Sequence, residues 1–216
     1  MRKIARPALI LPALALIAAS TASLMAAGPL PGQADPARVV AGTYQADPGH
    51  TFVGWRVSHM GFNDTFGLFG TISGTLVIDP ANLAAARVAV RIPVRKITTA
   101  NAALTGALLR PNAAGKPDYF GPQPVDAVFT STKVVPGADG NSAAITGTLS
   151  LNGMTKPVTL NATFAGAGKS PFGGGLTVGF HAVTTINRSD YGLNADMGMV
   201  GDLVDLQITA AFVKAK

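Results

Sequence analysis

Short segments in which hydrophobic and polar residues alternate recur along most of this 216-residue chain. Val, Thr, Ile and Phe dominate these segments, and this composition is typical of half-buried β-strands. Pairs such as Asp79-Pro80 and Asn152-Gly153 lie between the segments and are typical of turns. The pattern predicts strands at residues 43–47, 51–60, 67–79, 86–97, 125–135, 143–152, 157–166, 175–188 and 202–214.

One stretch departs from this alternation. Residues 98–110 (TTANAALTGALLR) carry Ala and Leu at helical spacing, so we expect a short helical insertion there. Residues 112–124, which include Asp118-Tyr119-Phe120, are predicted to form an irregular loop. We find no internal repeat and no second domain, so the chain from residue 43 onward is predicted to fold as one unit.

An all-β chain with about eight long antiparallel strands must hide its strand edges and bury one face of its sheet. Closure into a barrel does both, and a two-sheet sandwich is the competing architecture. The strands are long and few are separated by long crossovers, which favours up-and-down closure. A barrel of eight strands is either filled by side chains or holds one small ligand.

Alternation also predicts which side chains point inward. In 51–60 the apolar face carries Val53, Trp55, Val57 and His59, while Arg56 lies on the other face. In the predicted strand 86–97 the inward residues are Val88, Val90, Ile92 and Val94. In the predicted strand 175–188 they are Phe180, Ala182, Thr184 and Ile186. Two of the inward residues beside Phe180 are small, so this face is expected to leave volume unfilled if it points inward.

The N-terminus has the three-part pattern of an export signal. Residues 1–27 begin with Arg2, Lys3 and Arg6, continue with an apolar run and end in small residues. A membrane anchor is disfavoured, because the run is shorter than the roughly 20 residues that span a bilayer. We therefore predict export to the periplasm, a flexible Pro/Gly-rich leader at 28–42, and no stable membrane insertion once the signal is removed.

Composition narrows the class of protein further. The absence of Cys excludes disulfides, thiolate zinc sites and a cysteine nucleophile. All 11 acidic residues are Asp, and the absence of Glu removes a strong helix former. The formal charge of +6 includes three charges of the predicted signal, and the other Lys and Arg residues are scattered. We therefore expect no nucleic-acid partner.

The histidines do not form a convincing metal site in the sequence. There are three, His50, His59 and His181, and His181 falls on the strand face opposite the inward set. A metal ligand set needs side chains that converge on one point. We therefore expect neither a metal nor a cofactor, although a metal-binding barrel that uses these histidines stays open as an alternative.

Nucleophile and carboxylate motifs are equally weak. Ser150 and Ser189 lack a G-x-S-x-G context, and the chain has no nucleotide-binding or zinc-protease motif. Asp202 and Asp205 are the close acidic pair outside turn contexts. A non-enzymatic protein is favoured; a secreted hydrolase-like barrel and a structural or interaction protein with a filled barrel remain alternatives.

Several blocks of sequence together resemble the YceI-like family of exported bacterial polyisoprenoid- or lipid-binding proteins. These blocks are DPGHTFVGWRVSHMG (47–61), SGTLVID (73–79), VDAVFTSTKVV (125–135), ITGTLSLNGMTKPVTLNATF (145–164) and FHAVTTINRSDYGL (180–193). The resemblance implies an extended eight-stranded antiparallel, lipocalin-like barrel over 43–216 with a long apolar interior. It implies binding of an isoprenoid or fatty amphiphile without catalysis, and leaves the oligomeric state open, a homodimer included.

The resemblance also implies roles for individual residues. Trp55, Val57 and His59 match the family's aromatic–aliphatic–His strand, Phe129 its F-x-S-T segment, and Arg188 with Tyr191 its R-S-D-aromatic segment. With the inward faces predicted above, the candidate ligand-binding residues are Val53, Trp55, Val57, His59, Ile92, Phe129, Phe180, Ile186, Arg188 and Tyr191.

The helical insertion departs from similar family members. They usually carry a charged helix with His and Arg before a Leu, whereas here residues 100–109 hold no charge, and an extra RPNAAGKP (110–117) follows. The polar side chains that would meet a phosphate near this helix are missing. We therefore expect a neutral head group or a plain tail rather than a diphosphate.

Overall fold

The computed structural model describes residues 28–112, 114–172 and 174–216, so the predicted export signal lies outside the described residues. Within them the chain forms ten strand segments and one short α-helix. The elements are β1 (Gly42–Ala46), β2 (Phe52–His59), β3 (Asn63–Phe69), β4 (Ser73–Ile78), β5 (Arg87–Ile92), α1 (Ala102–Leu108), β6 (Ala127–Pro136), β7 (Ser142–Leu151), β8 (Met154–Lys169), β9 (Leu176–Asn187) and β10 (Val200–Lys214).

The strands close into a barrel in which every neighbouring pair is antiparallel. The sheet order is β1-β4-β5-β6-β7-β8-β9-β10, and β10 returns to β1 through pairs such as Tyr44 with Lys214. β1 and β2 pair with successive parts of β10, so together they occupy one strand position of the barrel. β4 pairs with β1 and β3 pairs with β2, so β3 and β4 together occupy the next position. The ten segments therefore make eight strands around the barrel, and the predicted eight-stranded antiparallel barrel is confirmed.

The barrel has two distinct ends. We call upper the end that carries the β2–β3 turn and the start of β10, and lower the end that carries the start of β1 and the end of β10. The long strands β8, β9 and β10 run between the two ends. The core divides in the same way, into one buried cluster around Tyr191 and Phe129 and another around Tyr44 and Phe212.

The prediction of one continuous strand over 67–79 is wrong. The strand is interrupted at 70–72, where Thr71 takes a positive φ of 57° and Ile72 turns into the core with 1% of its surface exposed. A similar interruption separates β1 from β2. There the Thr51 hydroxyl donates to the carbonyl of Ala211 at 3.1 Å and accepts from its amide at 3.2 Å, which replaces the lost ladder bonds.

Local chemistry explains two boundaries. The strand predicted to run to residue 97 ends at Ile92, because Pro93 has no N–H to donate, and a short 3-10 helix follows over Val94–Lys96. Asn152 and Gly153 join β7 to β8 in a two-residue turn with φ values of 50° and 77°. Positive φ at both positions is the requirement that favours Asn-Gly in such hairpins.

The predicted helical insertion is confirmed as α1. The side-chain oxygen of Asn101 caps its first turn by accepting from the amides of Ala103 and Leu104, at 2.9 and 3.2 Å. The chain then folds back on the helix, since the amide of Phe120 donates to the carbonyl of Leu108 at 3.1 Å. Backbone hydrogen bonds between Thr98 and Leu68 of β3, and the bond from Tyr119 to Asp196 before β10, place the insertion across the upper end of the barrel.

The segment before β1 pairs with the edge of β8 beyond the end of β7. Gln33 exchanges two backbone hydrogen bonds with Ala167 of β8, at 3.0 and 2.9 Å, and a short 3-10 helix follows over Pro36–Arg38. Among residues 28–112, 114–172 and 174–216, no helix combines the length and the apolar character needed to cross a membrane.

Candidate functional site

The barrel interior is hollow rather than filled. It contains a lower cavity of 260 Å³ and an upper cavity of 290 Å³. The two cavities adjoin, because four apolar side chains line both of them. These are Val53, Ile92, Leu149 and Leu206. Inward residues of β10 from Val200 to Phe212 border one cavity or the other, a span of roughly 40 Å along the strand.

The lower cavity is almost wholly apolar. Phe164, Phe180 and Phe212 form an edge-to-face series in its wall, with ring centroids 5.8 and 6.4 Å apart. Ala162 and Ala182 line the same cavity. Their short side chains leave part of the interior unfilled. The small residues that the alternation placed beside Phe180 therefore do leave space.

The upper cavity lies between the β2–β3 hairpin and the insertion. Leu104 and Leu108 of α1 form part of its wall, and Phe120 packs edge-to-face on Phe69 with ring centroids 6.2 Å apart. His59 and Asp196 also line it, and Asp196 is exposed. The upper cavity therefore reaches the protein surface beside the turn after β2 and the loop before β10.

Trp55 occupies a space that a glycine leaves open. Its indole lies against Gly67, the residue paired with it on β3, and a Cβ at that position would overlap the ring. The indole Nε1 is buried and has no hydrogen-bond partner within the described residues. Trp55 is also the one tryptophan of the chain, so its fluorescence reports on the wall of the upper cavity.

Arg188 acts mainly as a clamp. It is 4% exposed, and its guanidinium donates to the carbonyls of Leu193, Ala195 at 2.7 Å, Gly201 at 2.8 Å and Val200 at 2.9 Å. These bonds tie the loop before β10 to the end of β9. Although Arg188 borders the upper cavity, most of its donors are already committed to the backbone.

A second polar link crosses the upper end. Tyr119 donates its hydroxyl hydrogen to Asp196 at 2.8 Å and so joins the insertion to the loop before β10. Burial, together with this bond and the charge of Asp196, raises the pKa of Tyr119 to about 12. The phenol of Tyr119 is therefore a neutral hydrogen-bond donor at neutral pH. The acidic side chain of Asp196, and not a basic one, lies beside this part of the cavity.

Nine of the ten predicted ligand-binding residues border a cavity. Val53 and Ile92 line both; the upper cavity adds Trp55, Val57, His59, Ile186 and Arg188, and the lower adds Phe129 and Phe180. Tyr191 does not border either one. It is 1% exposed and packs in the core, and its carbonyl accepts a hydrogen bond from Asn152 at 2.9 Å.

Sequence reasoning missed the contribution of the insertion. Leu104, Leu108, Tyr119 and Phe120 all border the upper cavity, whereas the sequence predicts only a short helix and an irregular loop here and assigns neither to the site. The Leu spacing in 98–110 indicates an apolar helix face. It does not indicate which part of the barrel that face covers, because this depends on how the loop folds back.

The other candidate chemistry is dispersed. Exposed His50 contacts Asp47 at 2.8 Å, and no cluster of three metal-ligating side chains occurs among the residues that the structure describes. Asp202 accepts from the amide and hydroxyl of Ser189 at 2.9 and 2.8 Å. Asp205 binds Arg56 at 2.5 Å and Thr185 at 2.7 Å. The acidic pair therefore holds strands and loops together.

A closed antiparallel barrel with a hollow apolar interior defines a ligand-binding type of barrel. The chain belongs to the YceI-like family, whose domain matches residues 44–212. The protein YceI of Escherichia coli is 37% identical over 179 residues, which cover 82% of this chain and 90% of that protein.

Solved structures show the same fold. The Burkholderia cenocepacia protein BcnA is 25% identical, with a TM-score of 0.63 over 77% of this chain and 98% of BcnA. A polyisoprenoid-binding domain from Saccharophagus degradans has a TM-score of 0.53 and 13% identity, over 80% of this chain and 98% of the domain. The last likeness is one of fold alone.

Proposed function

We propose that this protein binds the tail of a polyisoprenoid or another long-chain amphiphile along its barrel interior, without catalysis, and solubilises or carries it across the periplasm. The observation that carries this proposal is the pair of adjoining apolar cavities. Family membership and the fold shared with a polyisoprenoid-binding domain support it.

The energetics favour a long tail. Each methylene moved from water into an apolar interior contributes about 0.8 kcal/mol, so ten buried methylenes contribute roughly 8 kcal/mol. Loss of freedom on association costs about 4–15 kcal/mol. Binding is therefore useful only if many carbons are buried and the cavity walls are held in advance. The closed ladder of the barrel supplies such walls.

The polar groups at the site favour binding over turnover. Of the polar side chains that border the upper cavity, Arg188 is bonded to backbone carbonyls and Tyr119 to Asp196. Ser189, Asp202 and Asp205 border neither cavity and bond to groups of the fold. Asp196, beside the upper cavity, would repel a phosphate rather than attract it. These features support a neutral head group or a plain tail as the ligand's polar end.

Mass spectrometry of solvent extracts from protein purified out of its own host tests the proposal directly. We expect one long-chain lipid in near-stoichiometric amount. In solution, an added isoprenoid probe is expected to change the emission of Trp55, because the indole borders the upper cavity. Absence of both an extracted lipid and a fluorescence response would refute the proposed function.

A matched pair of variants tests where the tail lies. Ala182 borders the lower cavity, whereas the next residue, Val183, is 51% exposed on the outer face. A182F should fill the space beside Phe180 and weaken binding of long probes while sparing short ones. V183F places the same phenyl ring outside the barrel and should bind like the wild type. Equal affinities for A182F and V183F would place the tail elsewhere.

Residues 1–27 are proposed to direct export, with removal of the segment in the periplasm. Fractionation of the host, followed by intact-mass measurement of the periplasmic protein, tests this. The expected mass lacks the segment that begins with Arg2 and Lys3 and ends in small residues. Recovery of the full-length chain from the cytoplasm would contradict the proposal.

A further inference from the structure

Large exposed apolar side chains border the opening of the upper cavity on the side away from the insertion. They lie on the β2–β3 hairpin and on the loop and first residues of β10, and the two segments are joined by a hydrogen bond from the Met60 amide to the Met199 carbonyl at 2.6 Å. Phe62, at the turn, is 87% exposed. We call this set the apolar rim: Met60, Phe62, Phe66, Met197, Met199 and Leu203.

The apolar rim follows the opening residue by residue. At four places, a residue that borders the upper cavity is adjacent in sequence to a large exposed apolar residue. The pairs are His59 with Met60, Thr65 with Phe66, Asp196 with Met197, and Val200 with Met199. Exposed apolar patches of this kind mark interaction sites in soluble proteins. Here the patch is continuous with the opening through which a ligand would pass.

The charges around the rim limit the choice of partner. Residues 58–69 and 194–206 contain no Lys or Arg, and their acidic residues are Asp64, Asp196, Asp202 and Asp205. Arg56 lies next to the rim and already pairs with two of them, at 3.2 and 2.5 Å. The two rim segments themselves would therefore repel an anionic surface, whereas their apolar side chains can enter a surface without net charge.

We propose that the apolar rim docks the upper cavity on the surface of a zwitterionic lipid bilayer, with Phe62 and the rim methionines entering the interface. This inference rests on the proposed function, because it supplies the route by which an apolar tail enters the barrel. Each methylene that crosses through water reduces the transfer rate about fourfold. Direct contact between the rim and the bilayer avoids that exposure.

Flotation with phosphatidylcholine vesicles tests the docking. The wild-type protein is expected to float with the vesicles, and F62S and M199S each to reduce the partition coefficient about tenfold. Phe172 is 96% exposed at the opposite end of the barrel, so F172S is the matched control and should partition like the wild type. Circular dichroism checks that each variant is folded.

Other results would overturn the inference. These are no flotation of the wild type, an equal loss for F172S, or binding only to phosphatidylglycerol vesicles in a salt-sensitive manner. Dimerisation that is lost in F62S would make the rim a subunit interface instead. Fluorescence of Trp55 with an isoprenoid probe in vesicle-free solution is measured separately. A response there without flotation refutes only the docking, and flotation with neither a response nor an extracted lipid refutes only the proposed function.

Discussion

Replacement of Arg188 by Lys should destabilise the protein strongly although it conserves the charge. The guanidinium reaches four carbonyls from three different nitrogens, whereas a lysine ammonium is a single point. We expect Lys to keep the bonds on one side, to Leu193 and Ala195 or to Val200 and Gly201, and to lose the other two. At about 1.5 kcal/mol for each charged hydrogen bond, the free energy of unfolding should fall by about 3 kcal/mol.

Urea denaturation followed through Trp55 fluorescence measures this loss. For a domain of this size, about 3 kcal/mol corresponds to a decrease in Tm of roughly 6–12 °C. Arg91 is the control: its ion pair with Asp126 at 3.2 Å is largely exposed, so R91K should change stability by less than about 0.5 kcal/mol. If R188K is no more destabilising than R91K, the clamp is not what holds the loop before β10.

Three further predictions concern titration and packing. The hydrogen bond from Arg56 holds the pKa of Asp205 below 3.8. The ionised Asp205 therefore stabilises the fold above this pH, and the stabilisation is lost as the pH falls through the lowered pKa. D205N should flatten the decline in Tm between about pH 5 and pH 2. Burial raises the pKa of Tyr44 and Tyr191 above 10.0 and that of Tyr119 to about 12, so ultraviolet titration of the folded protein should give phenolate midpoints above pH 10.0. Their stabilising effect should be lost as the pH rises through these values, and urea-unfolded protein should titrate near 10.0 instead. G67A should displace the indole and shift the emission of Trp55, whereas alanine at exposed Gly106 of α1, with no neighbour near its Cβ, should not.

Arg188 and Tyr191 show that residues predicted to contact a ligand can also hold the fold together. The R-S-D-aromatic block predicts that Arg188 and Tyr191 contact a ligand. In the fold the block is a corner: Arg188 binds carbonyls, Ser189 binds Asp202, and Tyr191 fills the core. A buried Arg that satisfies backbone acceptors and an Arg that awaits a ligand have the same sequence. Only the location of those carbonyls distinguishes them.

Local regularities of the sequence determined much of the barrel. Period-two alternation placed Trp55, Val57 and His59 on the inner face, because successive side chains of a strand must point to opposite sides. Asn152-Gly153 specified the hairpin between β7 and β8 through positive φ at both positions. Each of these depends on a few neighbouring residues, so each was visible before the fold was known.

Tertiary structure alone decided whether the interior is hollow and where it opens. Alternation says that Ala182 and Phe180 share a face, but not how far away the opposite wall lies. That distance depends on the number and stagger of strands in the closed barrel. The interruption at Ile72, the return of Phe120 onto α1 and the apolar rim depend in the same way on residues far apart in the chain. Such contacts leave no periodic trace, because they are made between segments whose spacing the sequence does not encode locally.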